Sequence, residues 1–310
     1  MSKAKKIILI IVSVIVVIAV AALITVSAVK FDVHKNTSAE NAPAQTVDFE
    51  EKADDTVRIM SFNIRYGRLG ILTASDRHSM VVETIRNGHP DSLGVQEATP
   101  SWMKYLTAEL ADEYAYVGVG RNNGKNSGEY SAIFYLKDKY EAVDSGTFWL
   151  SETPDEPSKG WDAACKRICT WAVLKNKETG ESFVHLNAHF DHKGTEARMN
   201  SVDMILEKVS EYKDLPVVFT ADMNIAEGSD DYNRILADGT LKDTKYSAED
   251  TMSYLTFHDL SPAEHETEVI DFVMVNDKID TEVYKVVTAG IDGMYVSDHF
   301  PVYADVKFVS

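Results

Sequence analysis

Residues 295–303 read YVSDHFPVY, and Pro301 opens the alternating run PVYADVKFV at 301–309. Chain ends ordinarily fray. This one has the period-two pattern of a strand with a buried face. It also carries an acid and an imidazole, Asp298 and His299, side by side. Neighbours on an extended segment point to opposite sides, so the two side chains serve two different roles. Further back, similar β-rich runs recur: VRIMSFN (57–63), DSLGVQE (91–97), YSAIFYL (130–136), ICTWAVL (168–174), SFVHLNAHF (182–190), PVVFTAD (216–222) and VIDFVMV (269–275). Apolar residues three and four apart predict helices over 76–87, 100–111, 196–212 and 229–237. From 114 to 190 strands follow one another without a helix. That excludes strict β/α alternation and points to an α/β (α+β) sandwich of mixed sheets in one domain, 57–310.

The chain has 310 residues, 45% hydrophobic and 26% charged, with a net charge of −18. This is a folded composition. Its acidity disfavours non-specific binding to long nucleic acid. It leaves room for a phosphate substrate held through cations, which reverse the local field. The N-terminal part differs. Residues 1–6 are a basic tail, and 7–29 carry no charge. As a helix that run spans roughly 34 Å, enough for a bilayer. The lysines predict that the tail stays in the cytoplasm and the domain faces outward, anchored in the cell membrane by a single-pass helix. The alternative is secretion after signal-peptide cleavage near Val26-Ser27-Ala28. Residues 30–56 read as a flexible linker. No protein partner is inferred. In a strand, Cys165 and Cys169 stand about 13 Å apart, so two free thiols are expected.

Residues with chemistry to offer gather at strand ends, where α/β sheets build sites. Asn63 and Glu97 end the first two runs, His189 and Asp191 follow the fifth, and Asp222 and Asn224 follow the sixth. Asp271 lies inside an apolar run, where an unpaired carboxylate is costly. Asp222 and Asn224 are two apart and so share a side of an extended segment. One is suited to take a proton from water and the other to donate to a phosphate.

The segments SFNIRYG, GVQEAT, GEYSAIFY, LNAHFDHKG, TADMNI, VIDFVMV and SDHFPV, in that order, resemble the endonuclease/exonuclease/phosphatase (DNase I-like) superfamily. GTFWLSETP and GWDAACKRICTW look like a bacterial branch near the deadenylase-type exonucleases. The resemblance implies a four-layer α/β/β/α sandwich of two packed mixed sheets with its site in a cleft at one sheet edge. It implies Mg²⁺ or Mn²⁺, with Glu97 as main metal ligand, Asn63 touching metal and phosphate, and Asp298 as a further metal contact. It pairs Asp271 with His299, keeping an imidazolium that addresses the phosphate. It also pairs His189 with Glu129, and makes Asp191 a polar contact with the site. Two positions depart from the family pattern: Ala221 stands where it has Gly, and Ala188 where it usually has Thr. Tyr130 and Arg167 are expected at the substrate, with Trp149 and Trp161 as weaker candidates. His192 is expected at the surface, Arg198 in a structural ion pair, and His258 and His265 in a solvent-facing loop. The predicted activity is hydrolysis of a phosphodiester, as in a nuclease, or of a phosphomonoester, at the outer face of the membrane. Lipid-headgroup hydrolysis is the alternative. A non-catalytic binding module fits less well, since Glu97, Asp222, Asp271 and His299 are all present.

Overall fold

The computed structural model describes residues 48–237, 239–260 and 268–309. The anchor, most of the linker and His265 lie outside them. Among the described residues no helix is long and apolar enough to cross a membrane.

Among the described residues, thirteen strands form two sheets. In the first, β1 (Val57–Asn63), β2 (Ser92–Ala98), β3 (Tyr114–Val117) and β4 (Tyr130–Leu136) join β10 (Asp250–Thr251), β12 (Ile279–Val286) and β13 (Val302–Phe308), in the order β10-β12-β13-β1-β2-β4-β3. In the second, β5 (Tyr140–Trp149), β6 (Ile168–Asn176), β7 (Ser182–His189), β8 (Val217–Asp222), β9 (Lys242–Asp243) and β11 (Asp271–Val275) run in the order β5-β6-β7-β8-β11-β9. Each sheet is mixed: β1 and β2 are parallel, as are β7 and β8, with antiparallel neighbours.

Strand alternation builds the layers. Ile59, Ile133, Val218, Val273, Val302 and Ala304 fill the space between the sheets. Their neighbours Met60, Phe62, Leu93 and Val95 face outward onto α1 (Ala74–Gly88) and α2 (Pro100–Glu109), through Val81, Ile85, Trp102 and Leu106. On the far side Leu186, Phe219 and Met274 meet α3 (Thr195–Ser210) and α4 (Asp230–Leu236), through Val202, Ile205 and Ile235. A single turn, α5 (Thr244–Ser247), completes the helices among the described residues. The expected four layers are therefore present.

The domain starts earlier than expected. Residues 48–56, assigned to the linker from their polarity, are seated on it. Phe49 packs on Tyr303 and Gly88, the Glu50 N–H donates to the Tyr303 hydroxyl, and Lys52 pairs with Asp91. β12 was missed because its charged residues and a register shift between Thr281 and Val283 hide the alternation. The two cysteines are free, Cys169 buried in β6 and Cys165 half-buried ahead of it.

The tail is held because β13 is an inner strand, between β12 and β1. A chain ending at Ser297 is expected to lose fold and activity together, as read by circular dichroism and turnover. Asp91 offers a second test. It is fully buried, with Lys52, Lys139, the Tyr140 hydroxyl and the Arg58 N–H around it. Burial pushes its carboxyl up, but the two lysines hold it below its ordinary value. A depressed carboxylate stabilises above its unfolded pKa and loses that contribution as pH falls through its folded one. Asp91→Asn is expected to cost about 1.5–3 kcal/mol at pH 7 by urea unfolding, with the gap from wild type narrowing below about pH 4.

Candidate active site

The cleft opens where β1, β2, β7, β8 and β11 bring their site residues together. Asn63 ends β1 on the inner side and is fully buried. β2 ends irregularly. Val95 pairs with Ala132 and the next pair is Ala98 with Tyr130, so Gln96 and Glu97 together stand opposite Ser131. Such a bulge re-aims a side chain. Glu97 has φ of 62°, a left-handed conformation costing a non-glycine residue on the order of 1–3 kcal/mol. Without the bulge, alternation would send Glu97 under the helices; with it, Glu97 lines the cleft. Its carboxylate accepts from the Tyr66 N–H at 2.7 Å and from Asn63 Nδ2 at 3.3 Å. Arg65 and Asn224, also in the cleft wall, are left-handed too.

Asn63 joins the two sheets, because Nδ2 also donates to Asp222 Oδ2 at 2.8 Å. That oxygen lies 3.3 Å from His189 Nε2 and 3.9 Å from His299 Nε2. His299 Nδ1 meets Asp271 Oδ2 at 2.8 Å, as expected for a carboxylate inside an apolar strand. The segment 256–258 fixes this pair. Thr256 Oγ1 accepts from the Asp271 N–H, Phe257 bridges to His299, and the His258 N–H donates to the Asp298 carbonyl.

Burial alone would lower the His299 imidazole, but the Asp271 carboxylate overrides it and the pKa rises to about 10. His299 is therefore an imidazolium at neutral pH. Asp222 is pushed up to about 7 by burial and by Asp271, against His299 and the Asn63 amide. His189 is held well below its ordinary value by burial and then by Arg167 and Arg121, so it is neutral. The cleft, about 760 Å³, is lined by Arg65, Arg121, Arg167 and His192 besides Glu97, Glu129, His189, Asp222, Asn224 and His299.

Several expectations need correction. Glu129 lines the cleft but does not hold His189. It makes a two-pronged ion pair with Arg121, at 2.8 and 2.9 Å, and burial raises its pKa. His189 Nδ1 is buried without a hydrogen-bond partner among the described residues. Tyr130 is a core residue whose hydroxyl donates to the Lys125 carbonyl. Asp298 faces the Arg65 guanidinium at 3.0 Å. Asp191 sits behind the wall. Burial pushes its carboxyl up, but N–H donors from Gly194, Ala164 and Lys193, then Arg167, hold it well below the ordinary range. Arg198 donates to the Asp191 carbonyl and forms no ion pair with it. Asn224 closes a turn by donating its N–H to Asp222 Oδ1, and its side-chain amide donates to the Phe190 carbonyl. His258 is fully buried against Tyr295 and Phe300 rather than facing solvent. Trp149 is buried, its indole donating to the Arg121 carbonyl. His192 is exposed, as expected, but at the cleft rim beside Arg167. Arg65 was legible only as the residue after FNI, and Arg121 lies in a loop without periodic signal.

A hard divalent cation requires oxygen donors. The Glu97 carboxylate faces the cleft, Asp271 Oδ1 has no hydrogen-bond donor among the described residues, and Asp298 Oδ2 has only the Arg65 ion pair. Buried oxygens left this way fit such an ion. Asp222, Asp271 and His299 also cluster within 4.8 Å, but a protonated imidazole committed to Asp271 is not a ligand. In the second cluster, Cys165, Asp191 and His192, both Asp191 oxygens already accept backbone N–H bonds.

A sequence model of the Endonuclease/Exonuclease/phosphatase family matches residues 60–299. The chain belongs to the endonuclease/exonuclease/phosphatase family. As a member it is a hydrolase of phosphate esters, from a family that generally uses divalent metal ions. A solved family protein from Bacteroides vulgatus is 39% identical, with TM-score 0.77, over 82% of this chain and 99% of the other. A mannosyl-6-phosphatase from Bacteroides thetaiotaomicron is 34% identical, with TM-score 0.76, over 81% and 100%. The catalytic domain of human Nocturnin shares the fold at 18% identity, with TM-score 0.65, over 86% and 97%. No curated relative matches.

In this family member, Asp271→Asn removes the charge that keeps His299 protonated. In metal-free protein, NMR of labelled histidine is expected to show the His299 titration falling from about 10 toward an ordinary value near ~6.5. A titration unmoved by the substitution would contradict the assigned pairing.

Proposed function

We propose that the protein is a membrane-anchored, extracytoplasmic phosphoesterase that uses Mg²⁺ or Mn²⁺ and acts on a small phosphate ester. The observation that carries this reading is the Asn63 amide. It ties Glu97 of one sheet to Asp222 of the other at a cleft walled by three arginines. A divalent ion held by Glu97, with Asn63 and Asp298 beside it, would neutralise phosphate charge and polarise the ester. Asp222, with its pKa near neutrality, suits removal of a proton from the attacking water. Asn224 steadies that carboxylate through its backbone N–H. The His299 imidazolium, oriented by Asp271, donates from Nε2 toward the phosphate. Neutral His189 adds a donor beside the same Asp222 oxygen. Arg167, steadied by Asp191, lines the cleft and meets the ester's oxygens.

The phosphatase at 34% identity supports a small monoester, and the net charge of −18 disfavours long nucleic acid. The uncharged stretch 7–29 supports the anchor. It also favours a second reading, a lipid-headgroup ester hydrolysed near the bilayer. A panel of hexose 6-phosphate, bis-p-nitrophenyl phosphate, single-stranded RNA and DNA, sphingomyelin and phosphoinositide distinguishes these. Hexose 6-phosphate is expected to be the best substrate, with all turnover lost in EDTA. His299→Ala is expected to lose about 10²–10⁴-fold in rate. Undiminished turnover in that variant would sink the assignment.

A further inference from the structure

The space between the sheets is not wholly apolar. His185, Asn187 and Thr220 from the second sheet meet Ser92, Gly94 and Gln96 from the first. Asn187 is at the centre and fully buried. Its Nδ2 donates to two carbonyls of the opposite sheet, Val95 at 3.0 Å and Ala132 at 2.9 Å. Its Oδ1 accepts from Gln96 Nε2 at 2.7 Å and from Thr220 Oγ1 at 3.1 Å. Two donors and two lone pairs are all engaged, which is the full capacity of a carboxamide.

The two carbonyls are not arbitrary. Val95 and Ala132 form the last regular rung before the bulge that turns Glu97 into the cleft. Gln96, which donates to the same Oδ1, is itself one of the two bulged residues. Gly94 gives an independent sign that the amide sits flush on this backbone. A Cβ there would lie 2.6 Å from Asn187 Oδ1 and 2.1 Å from Thr220 Oγ1.

We propose that Asn187 is a positioning residue for the hydrolytic site: its carboxamide crosses from β7 to β2 and β4 and holds the bulge that aims Glu97. The inference rests on Glu97 being the metal-facing carboxylate. It assigns Asn187 no contact with substrate. The strained φ of Glu97 needs something to enforce it, and the three hydrogen bonds by which the buried amide reaches Val95, Ala132 and Gln96 supply that restraint.

The test is Mn²⁺ binding to the purified full-length protein, followed by electron paramagnetic resonance, together with kcat and KM on the best substrate of the panel. Asn187→Leu is expected to weaken Mn²⁺ about 10–100-fold, the range for loss of a group that supports a metal ligand, and to lower kcat more than KM. A second route moves the amide without deleting it. Thr220→Ala removes the hydroxyl, and Gly94→Ala added to it directs the new Cβ at Asn187 Oδ1. The double variant is expected to bind Mn²⁺ at least about tenfold more weakly than Thr220→Ala alone. Ile205→Ala, a core change under α3, serves as the control for general destabilisation and is expected to keep wild-type Mn²⁺ affinity. Unchanged Mn²⁺ affinity in a folded Asn187→Leu or double variant overturns the proposal, as does an equal loss in Ile205→Ala. If wild type itself binds no Mn²⁺, the metal reading of Glu97 fails first, and the proposal with it.

Discussion

Asp222, Asp271 and Asp298 each expose 2% of their surface or less at the sheet ends, the first two in one cluster with His299 and the third against Arg65. Three carboxylates in so dry a place cannot all stay charged without compensation. Much of this end of the molecule provides it. His299 takes a proton from the balance and sits against Asp271, Asn63 lends its amide to Asp222, and Arg65 faces Asp298. What is left over appears on Asp222, the carboxyl pushed up to about 7. A group that changes charge near neutral pH is what general base chemistry needs. The packing problem and the catalytic solution are thus the same arrangement.

Local strain follows from that crowding. Arg65, Glu97 and Asn224 all adopt left-handed backbone, and each lies where a strand or loop must turn a side chain inward. Arg77 restrains the first of these places. Its guanidinium is fully buried and donates to the carbonyls of Ile64, Arg65, Gly67 and Val296. Burial lowers its pKa to about 10, so it keeps its charge in the physiological range. One arginine from α1 thereby ties the loop after β1 to the chain leading into Asp298.

Much of this was readable from sequence because it rests on local rules. Eight strands and four helices followed from periodicity, within a residue or two of their observed bounds. That Asp271 needs a partner was legible from the apolar run VIDFVMV, and the family resemblance named His299 as that partner. The Glu97 bulge was not, since nothing in GVQEAT distinguishes a regular strand end from a kinked one. The resemblance assigned Glu129 to His189, and its actual partner, Arg121, was not legible because it comes from the aperiodic GRNNG loop. His258 read as exposed because FHDLSPAEHETEV reads as a loop. Only the three-dimensional stack of Tyr295 and Phe300 removes it from water. Asn187 reads as an ordinary strand residue, and only the first sheet standing opposite gives its amide a partner in β2 and β4.

The seating of residues 48–56 has a geometric consequence. Lys52 grips Asp91 just before β2, whereas Glu97 near the end of β2 faces the cleft. The six residue steps from Asp91 to Glu97 cover about 20 Å of strand. The polypeptide is therefore handed to the domain at its back. A load pulling on the N-terminal side is borne by Phe49, Glu50 and Lys52 on the body of the fold rather than by the catalytic rim. The mouth of the cleft lies at the opposite end of β2 from that attachment.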